Sequence, residues 1–494
     1  MMNHPALLLH PDRYDDGIFR ISREHGFLPK EPPLTRLSGP FEPLQHLLDA
    51  MPVHLPDGRA GLLGRPDAIA RAVRDLPDLD AAVAALDPAD AQDIRAIGAL
   101  YRGYAFLASA YTLESAYSQQ MHGTYGEARR ALPPQVARPF VRAADALGML
   151  PWLDYHYAYA LNNWAWKDPT LPPEERMRWD NLSMCVAFSG TPDESGFILL
   201  HVHIDSHSGK IVGSIVDAVR AAERIRAGED AFAALRSALT EHLDALRTIN
   251  DIRKEMWNAS RWQHYNDFRI FIMGIHGNTA IFGDGVVYEG VDRFGGAPQR
   301  FRGQTGAQDD VIPTVDVFSG VEPWYPDNDL TRYLFDLRAY RPPVVRRWLE
   351  DLHAEVKRLS LWELMREDPA SAALLLGIVE QVYLFRSGHW QFVQKYILAN
   401  TRYATATGGT PITSWIPNQI EATLAYMREL LRTLAPHRDN LPEPLRAEVA
   451  RSEALHAERV GVLLAQIGEL TKTHYDARLV YELNQRFAEG PEVT

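Results

Sequence analysis

Between Ala373 and Leu398 the chain is strongly apolar with helical spacing, and the stretch QVYLFRSGHWQFVQKYI within it carries a histidine, His389. Val382, Phe385, His389, Phe392 and Tyr396 recur at three- and four-residue intervals, which puts them on one helix face. Two readings fit that histidine: a core imidazole bonded to its neighbours, or a ligand presented to a group held against the helix. Gly388 has no Cβ, so a flat group could approach closely there at a helix cost of roughly 1 kcal/mol. Arg386, three residues earlier, could reach an anion while His389 reaches a metal. Strand signals are few throughout, so the expected fold class is all-α.

The chain has 494 residues, 46% hydrophobic and 23% charged, an ordinary globular composition. Cys185 is the sole cysteine, which excludes a disulfide framework, a thiolate zinc cage and a covalent CxxCH haem attachment. The opening MMNHPALLLHPDRYDD lacks a basic leader and a long apolar run, and no later segment approaches a membrane span. A cytoplasmic protein without a membrane partner is expected. The formal net charge of -13 opposes phosphate backbones, so nucleic acid is not an expected partner.

Pro29, Pro32, Pro33, Pro40 and Pro43 punctuate the first segment, which predicts short elements and loops. Asp87-Pro88 reads as a helix start, followed by apolar residues at helical spacing through Tyr111. Pro133, Pro134 and Pro139 break the pattern, and Trp152 to Trp164 restores it. The polar, proline-laden KDPTLPPEER from Lys167 to Arg176 reads as a linker, which divides the chain into residues 1–175, 176–430 and 431–494. Helical spacing returns from Phe197 to Arg226 and from Ala231 to Met256, whereas Gly274 to Gly306 reads as an extended loop. The charged tail from Ala435 reads as a solvated helical hairpin or a contact between copies, so both monomer and homo-oligomer stay open.

FILLHVHIDSHSGK holds His201, His203, Asp205 and His207. On a strand, His201, His203 and Asp205 would share a face and suit a non-haem metal. On the helix that the downstream spacing favours, His201 and Asp205 lie one turn apart, and His201 becomes a neutral base or hydrogen-bond partner. Arg269 sits among Phe268, Ile270, Phe271 and Ile272, where an arginine pairs with a structural carboxylate or with that of a ligand. Neither Gly303 to Ala307 nor Thr407-Gly408-Gly409-Thr410 fits a nucleotide-binding pattern, and GxSxG and HExxH are absent.

Taken in order, HGFLPKEPPL, ALPPQVARPF, ALNNWAWKDP, FRIFIMGIHGN, GDGVVYEG, YLFDLRAYRPPVVRRWL, LFRSGHWQFVQKYI and TATGGT resemble the indoleamine 2,3-dioxygenase family from about Gly26 to about Leu430. The resemblance implies a two-domain helical fold with a non-covalent haem b in the large domain and O2 as co-substrate. It further implies His389 as the proximal iron ligand, Arg386 beside a propionate with Asp316 as its acid, and Arg269 as the partner of the substrate carboxylate. Phe197 falls at an aromatic wall over the indole, Thr305 and Gly306 in the distal loop, and Thr407 in the mobile loop that closes the site. His201 stands where animal members carry serine, and is similar to the distal histidine of tryptophan 2,3-dioxygenase. His156, Tyr159, His264 and Tyr265 align with other pocket positions and imply a more polar pocket, suited to a substituted tryptophan or indole. An unidentified reductant would keep the iron ferrous.

Three other readings remain at this point. A haem enzyme could insert one oxygen atom or rearrange a ring of a modified aromatic amino acid. A haem protein could bind a gas without turnover, and a non-haem metal could use His201, His203 and Asp205.

Overall fold

The computed structural model describes residues 8–120, 126–327, 329–399, 405–409 and 412–470. Thr410 of the TGGT segment and the end of the C-terminal extension, residues 471–494, lie outside them. The architecture is a helical one, with two short two-stranded sheets among the described residues. The helices that build the site are α1 (Ala91–Gln120), α2 (Pro134–Leu147), α3 (Pro192–Asp205), α4 (Ser208–Arg226), α5 (Phe232–Lys254) and α6 (Val311–Ser319). They continue with α7 (Pro343–Leu359), α8 (Pro369–Phe392), α9 (Ile412–Leu434) and α10 (Glu443–Leu470).

Helix α8 is the centre of the larger core. Asp368 caps it, its carboxylate accepting the Ser371 N–H at 2.9 Å, and Pro369 occupies the first turn where no N–H partner is needed. Every residue from Ser371 to Tyr383 is buried, because α5, α9 and α10 pack around the helix. A π-helical turn, Val393–Leu398, prolongs it beyond His389. Helix α3 starts at Thr191, whose hydroxyl accepts the Glu194 N–H. Gly196 lets α3 lie against the backbone at Ala259, since a Cβ there would stand 1.8 Å from the Ala259 carbonyl oxygen.

A second apolar core forms around α1 and α2, and takes in Ile198 and Val202 of α3 together with residues 270–273. Among the described residues, no helix is long and apolar enough to cross a membrane.

Several sequence expectations are corrected. Helix α1 begins at Ala91, not at Asp87-Pro88, because Asp90 is the residue whose carboxylate accepts the Gln92 and Asp93 N–H groups, at 2.8 and 3.1 Å. Residues 152–164 do not form a helix; a five-residue π turn, Tyr155–Tyr159, is wound around the Asp154 carboxylate. Lys167 to Arg176 lies in the connection of an antiparallel pair, Trp164–Trp166 with Leu182–Met184, and contains the helical turn Pro173–Arg176. The run from Phe197 to Arg226 is two helices, α3 and α4, broken at Ser206-His207. Gly274 to Gly306 contains the strand Val287–Tyr288, paired in parallel with Ala131–Leu132. Helix α10 docks on α8 and α9 of its own chain, with Arg451 at 3.0 Å from Glu380 and the Ser452 hydroxyl bonded to the same carboxylate.

Candidate active site

A cavity of about 1460 Å³, including its mouth, opens between α3, α8 and the loops at 303–309 and 405–409. His201 from α3 and His389 from α8 both line it, among apolar side chains such as Ile312, Phe385 and Val393.

The two histidines are held neutral by the same physics. Burial pushes His389 down to about 4, helped by repulsion from His201 and from Arg253. Burial likewise lowers His201, against a smaller opposing effect of hydrogen bonds within its own helix. His201 Nδ1 lies 2.9 Å from the Phe197 carbonyl oxygen, one turn back in α3. A carbonyl only accepts, so Nδ1 carries the proton and Nε2 is left as an acceptor. Among the described residues His389 makes no hydrogen bond, which leaves its imidazole for a ligand.

Gly388 has a different partner from the one its lack of a Cβ first suggested. A Cβ there would stand 1.8 Å from an Arg253 guanidinium nitrogen, so the gap receives Arg253 and not a flat group. Arg253 is only 9% exposed and lies against the Phe385 and Phe392 rings, at 5.9 and 5.6 Å.

Arg386 points to one rim of the cavity and stands 2.6 Å from Asp316 of α6, with the Thr423 hydroxyl at 2.7 Å and the Tyr325 hydroxyl bonded to the same guanidinium. Both members of the pair are buried. Burial raises Asp316, and the ion pair with Arg386 and the hydrogen bond donated by the Tyr325 hydroxyl at 2.6 Å oppose it. Arg338 lines the same rim and pairs with Glu322.

Phe197, Tyr265, Thr305, Gly306 and Thr407 line the cavity as the resemblance implied. Phe197 packs on Tyr265 at 5.0 Å between ring centroids. Thr305 caps the short turn Gly306–Gln308, and a Cβ on Gly306 would meet His389 Cε1 at 3.5 Å. Thr407 donates to the Gln304 carbonyl at 2.9 Å, which ties the two loops together.

Four expected site residues do not line the cavity. His156 is fully buried behind it, with Nε2 at 2.8 Å from Asp310, because the π turn sends the neighbouring Tyr155 inward instead. Tyr159 faces the smaller core, against Phe106 and Phe188. His264 sits on an exposed turn, with Nδ1 at 3.0 Å from Asp267. Arg269 is buried beneath the 405–409 loop and donates to the Thr405 carbonyl at 2.7 Å. The non-haem reading fails on geometry: His201 and Asp205 are on a helix with His203 on another face, and no cluster of metal-ligating side chains is present among the described residues. Tyr155, Gln304, Asp309 and Arg341 are lining residues that the sequence reading missed. Adjacent acids, Asp309-Asp310, between a glycine-rich turn and an apolar helix were the available signal.

An all-helical chain with a large apolar cavity, a neutral histidine offered from its central helix and arginines at one rim has the features of a protein that seats a flat, anionic prosthetic group. The chain belongs to the indoleamine 2,3-dioxygenase family, whose profile matches residues 16–427. It is 28% identical over 320 residues to indoleamine 2,3-dioxygenase 2 of Mus musculus, covering 60% of this chain and 73% of that one. An indoleamine 2,3-dioxygenase of Aspergillus nanangensis is 25% identical over 417 residues, 82% of this chain and 92% of the relative. A 6-hydroxytryptophan 2,3-dioxygenase of Fusarium equiseti is 26% identical over 388 residues, 77% and 84% of the two chains. The family is one of haem-dependent oxygenases that use O2, and this chain is such an enzyme.

Proposed function

We propose that the enzyme inserts both atoms of O2 across the indole C2–C3 bond of L-tryptophan or a ring-substituted tryptophan, giving an N-formylkynurenine-type product. The observation that carries this reading is the His201–Phe197 bond, which fixes an acceptor nitrogen opposite the neutral His389. An indole N–H is the donor that such an acceptor suits.

The residues present fit haem b: His389 is neutral and unbonded, the walls are apolar, and Arg386 and Arg338 stand at one rim. His389 would hold the iron, and Arg386, oriented by Asp316, would face a propionate. Bound haem supplies a site for activating O2. The protein's own part is to position and to exclude water. His201 accepts the indole N–H, and Phe197 with Tyr265 walls the ring. Thr407 and Gln304 hold the loops closed over the amino acid end. Arg269 lies beneath Thr405 of the loop that covers the site, and the family resemblance would set it on the side of the substrate carboxylate.

Product mass in labelled oxygen tests the reading. Reduced holoenzyme given L-tryptophan or hydroxytryptophans under 18O2 is expected to place two labelled atoms in the product. One labelled atom would mean a monooxygenase, and turnover of no indole would reject the proposal.

A further inference from the structure

One corner of the cavity is more polar than cleavage of plain tryptophan requires. Tyr155 and Asp309 line it, and Asp205 stands directly behind Tyr155, whose hydroxyl donates to Asp205 Oδ2 at 3.2 Å. Asp205 is fully buried and its Oδ1 has no hydrogen-bond partner. Asp309 is 6% exposed. Its Oδ1 accepts the Ile312 N–H at 3.1 Å, and among the described residues Oδ2 accepts nothing.

The basic groups nearby bond to Asp310 and offset only part of the charge at Asp309. Arg341 places Nε at 2.8 Å from Asp310 Oδ1 and reaches Asp309 only at its backbone carbonyl, 2.9 Å away. His156 also pairs with Asp310. Asp310 is therefore bracketed by two basic groups, while Asp205 feels the charge of Asp309 and Asp310 with no basic group bonded to it. Burial raises Asp205 and Asp309, and the neighbouring acids raise each further. A ligand that brings a hydrogen-bond donor relieves an oxygen left without one.

Position selects which part of a substrate arrives there. Asp205 lies one turn after His201 on α3, and the Tyr155 ring stands edge-on to His201 with centroids 5.9 Å apart. With the indole N–H on His201, the ring atoms extending along the N1 edge are C7 and C6. C4 and C5 lie on the opposite edge, beside the carbon that bears the amino acid.

We infer that Tyr155, Asp205 and Asp309 form a subsite for a hydroxyl on C6 or C7 of the indole, with Asp309 Oδ2 as its acceptor. This rests on the dioxygenase reading above and names the substrate class for the same site. The substrate would be a tryptophan already hydroxylated on its benzo ring, so an aromatic hydroxylation must precede this step.

Binding and turnover in the holoenzyme test it with L-tryptophan and its 5-, 6- and 7-hydroxy derivatives, alongside indole-3-propionate, which lacks the ammonium. Kd is read from perturbation of the haem spectrum, and kcat/KM from product formation. The 6- or 7-hydroxy compound is expected to exceed tryptophan and the 5-hydroxy compound by roughly ten- to a hundredfold in both, the range of a hydrogen bond to a charged group. Asp309→Asn should collapse that ratio towards one, and Tyr155→Phe should reduce it. Equal use of all four amino acids by wild-type enzyme would overturn the subsite while leaving the dioxygenase reading intact. Loss of binding in Asp309→Asn for every amino acid, with indole-3-propionate unaffected, would assign Asp309 to the ammonium and overturn it as well. Turnover of no indole would remove the reading on which it rests.

Discussion

Arg386 on α8 and Asp316 on α6 stand 2.6 Å apart in a buried ion pair, and the arginine lies one turn before His389 on the same helix. The pair sets the position of a cation at the cavity rim and joins two helices of the large core. Removing one charge strands the other in apolar surroundings. Arg386→Ala is therefore expected to lower the unfolding free energy by about 3–5 kcal/mol, whereas a joint replacement of both residues by leucine should recover most of it. Denaturant titration of the three proteins checks this, and equal stability of the single and double variants would contradict it.

His201 is expected to discriminate by the indole N–H. Wild-type enzyme should favour tryptophan over 1-methyltryptophan, and His201→Ala should erase about 1 kcal/mol or more of that preference. Steady-state kcat/KM for the two substrates in each protein measures it. An undiminished preference in the variant would show that sterics, not the Nε2 acceptor, cause the discrimination.

Iron ligation requires a neutral imidazole, and His389 is pushed down to about 4 from 6.5, first by burial and then by His201 and Arg253. A depressed pKa means the proton leaves more readily, so neutral His389 persists as pH falls through 6.5 and is lost only near 4. Haem occupancy is thus expected to be flat from pH 8 to about 5.5. A haem dissociation profile with a midpoint near 6.5 would show that His389 is solvated, contrary to the structure.

Gly306 stands against His389, where a Cβ would be 3.5 Å from the imidazole Cε1. Gly306→Leu should fill the space beside the imidazole and reduce haem stoichiometry several-fold, with little change in the melting temperature of the haem-free protein. Full occupancy in that variant would place the cofactor away from this loop.

Helix α10 carries Ser452, fully buried and bonded to Glu380 on the His389 helix. Ser452→Ala is expected to cost about 1–3 kcal/mol, since it removes a partner from a buried carboxylate. A thermal melt reads the effect, and an unchanged midpoint would mean that Arg451 alone satisfies Glu380.

Much of the site was legible because it is local. Three- and four-residue spacing placed His389 and Arg386 on one apolar helix and favoured a helix for His201, while their roles came from the order of segments, which supplied the family. The pairing of Arg386 with Asp316 was implied by that likeness and is present in the structure. What spacing could not show is the π turn at 155–159, which moves the inward-facing position from His156 to Tyr155. The role of Gly388 was equally hidden, because Arg253, far away in sequence, fills the place of its side chain. Composition marked Lys167 to Arg176 as a connection, but it could not show that Trp164–Trp166 and Leu182–Met184 pair on either side of it.

The most direct test of the site is haem stoichiometry in three purified proteins, read from the Soret band against protein concentration. Wild-type and His201→Ala are expected to hold one haem per chain, and His389→Ala to lose it, with imidazole added to the solution restoring part of the band. Full haem in His389→Ala, or loss confined to His201→Ala, would contradict the assignment of His389 as the residue that holds the iron.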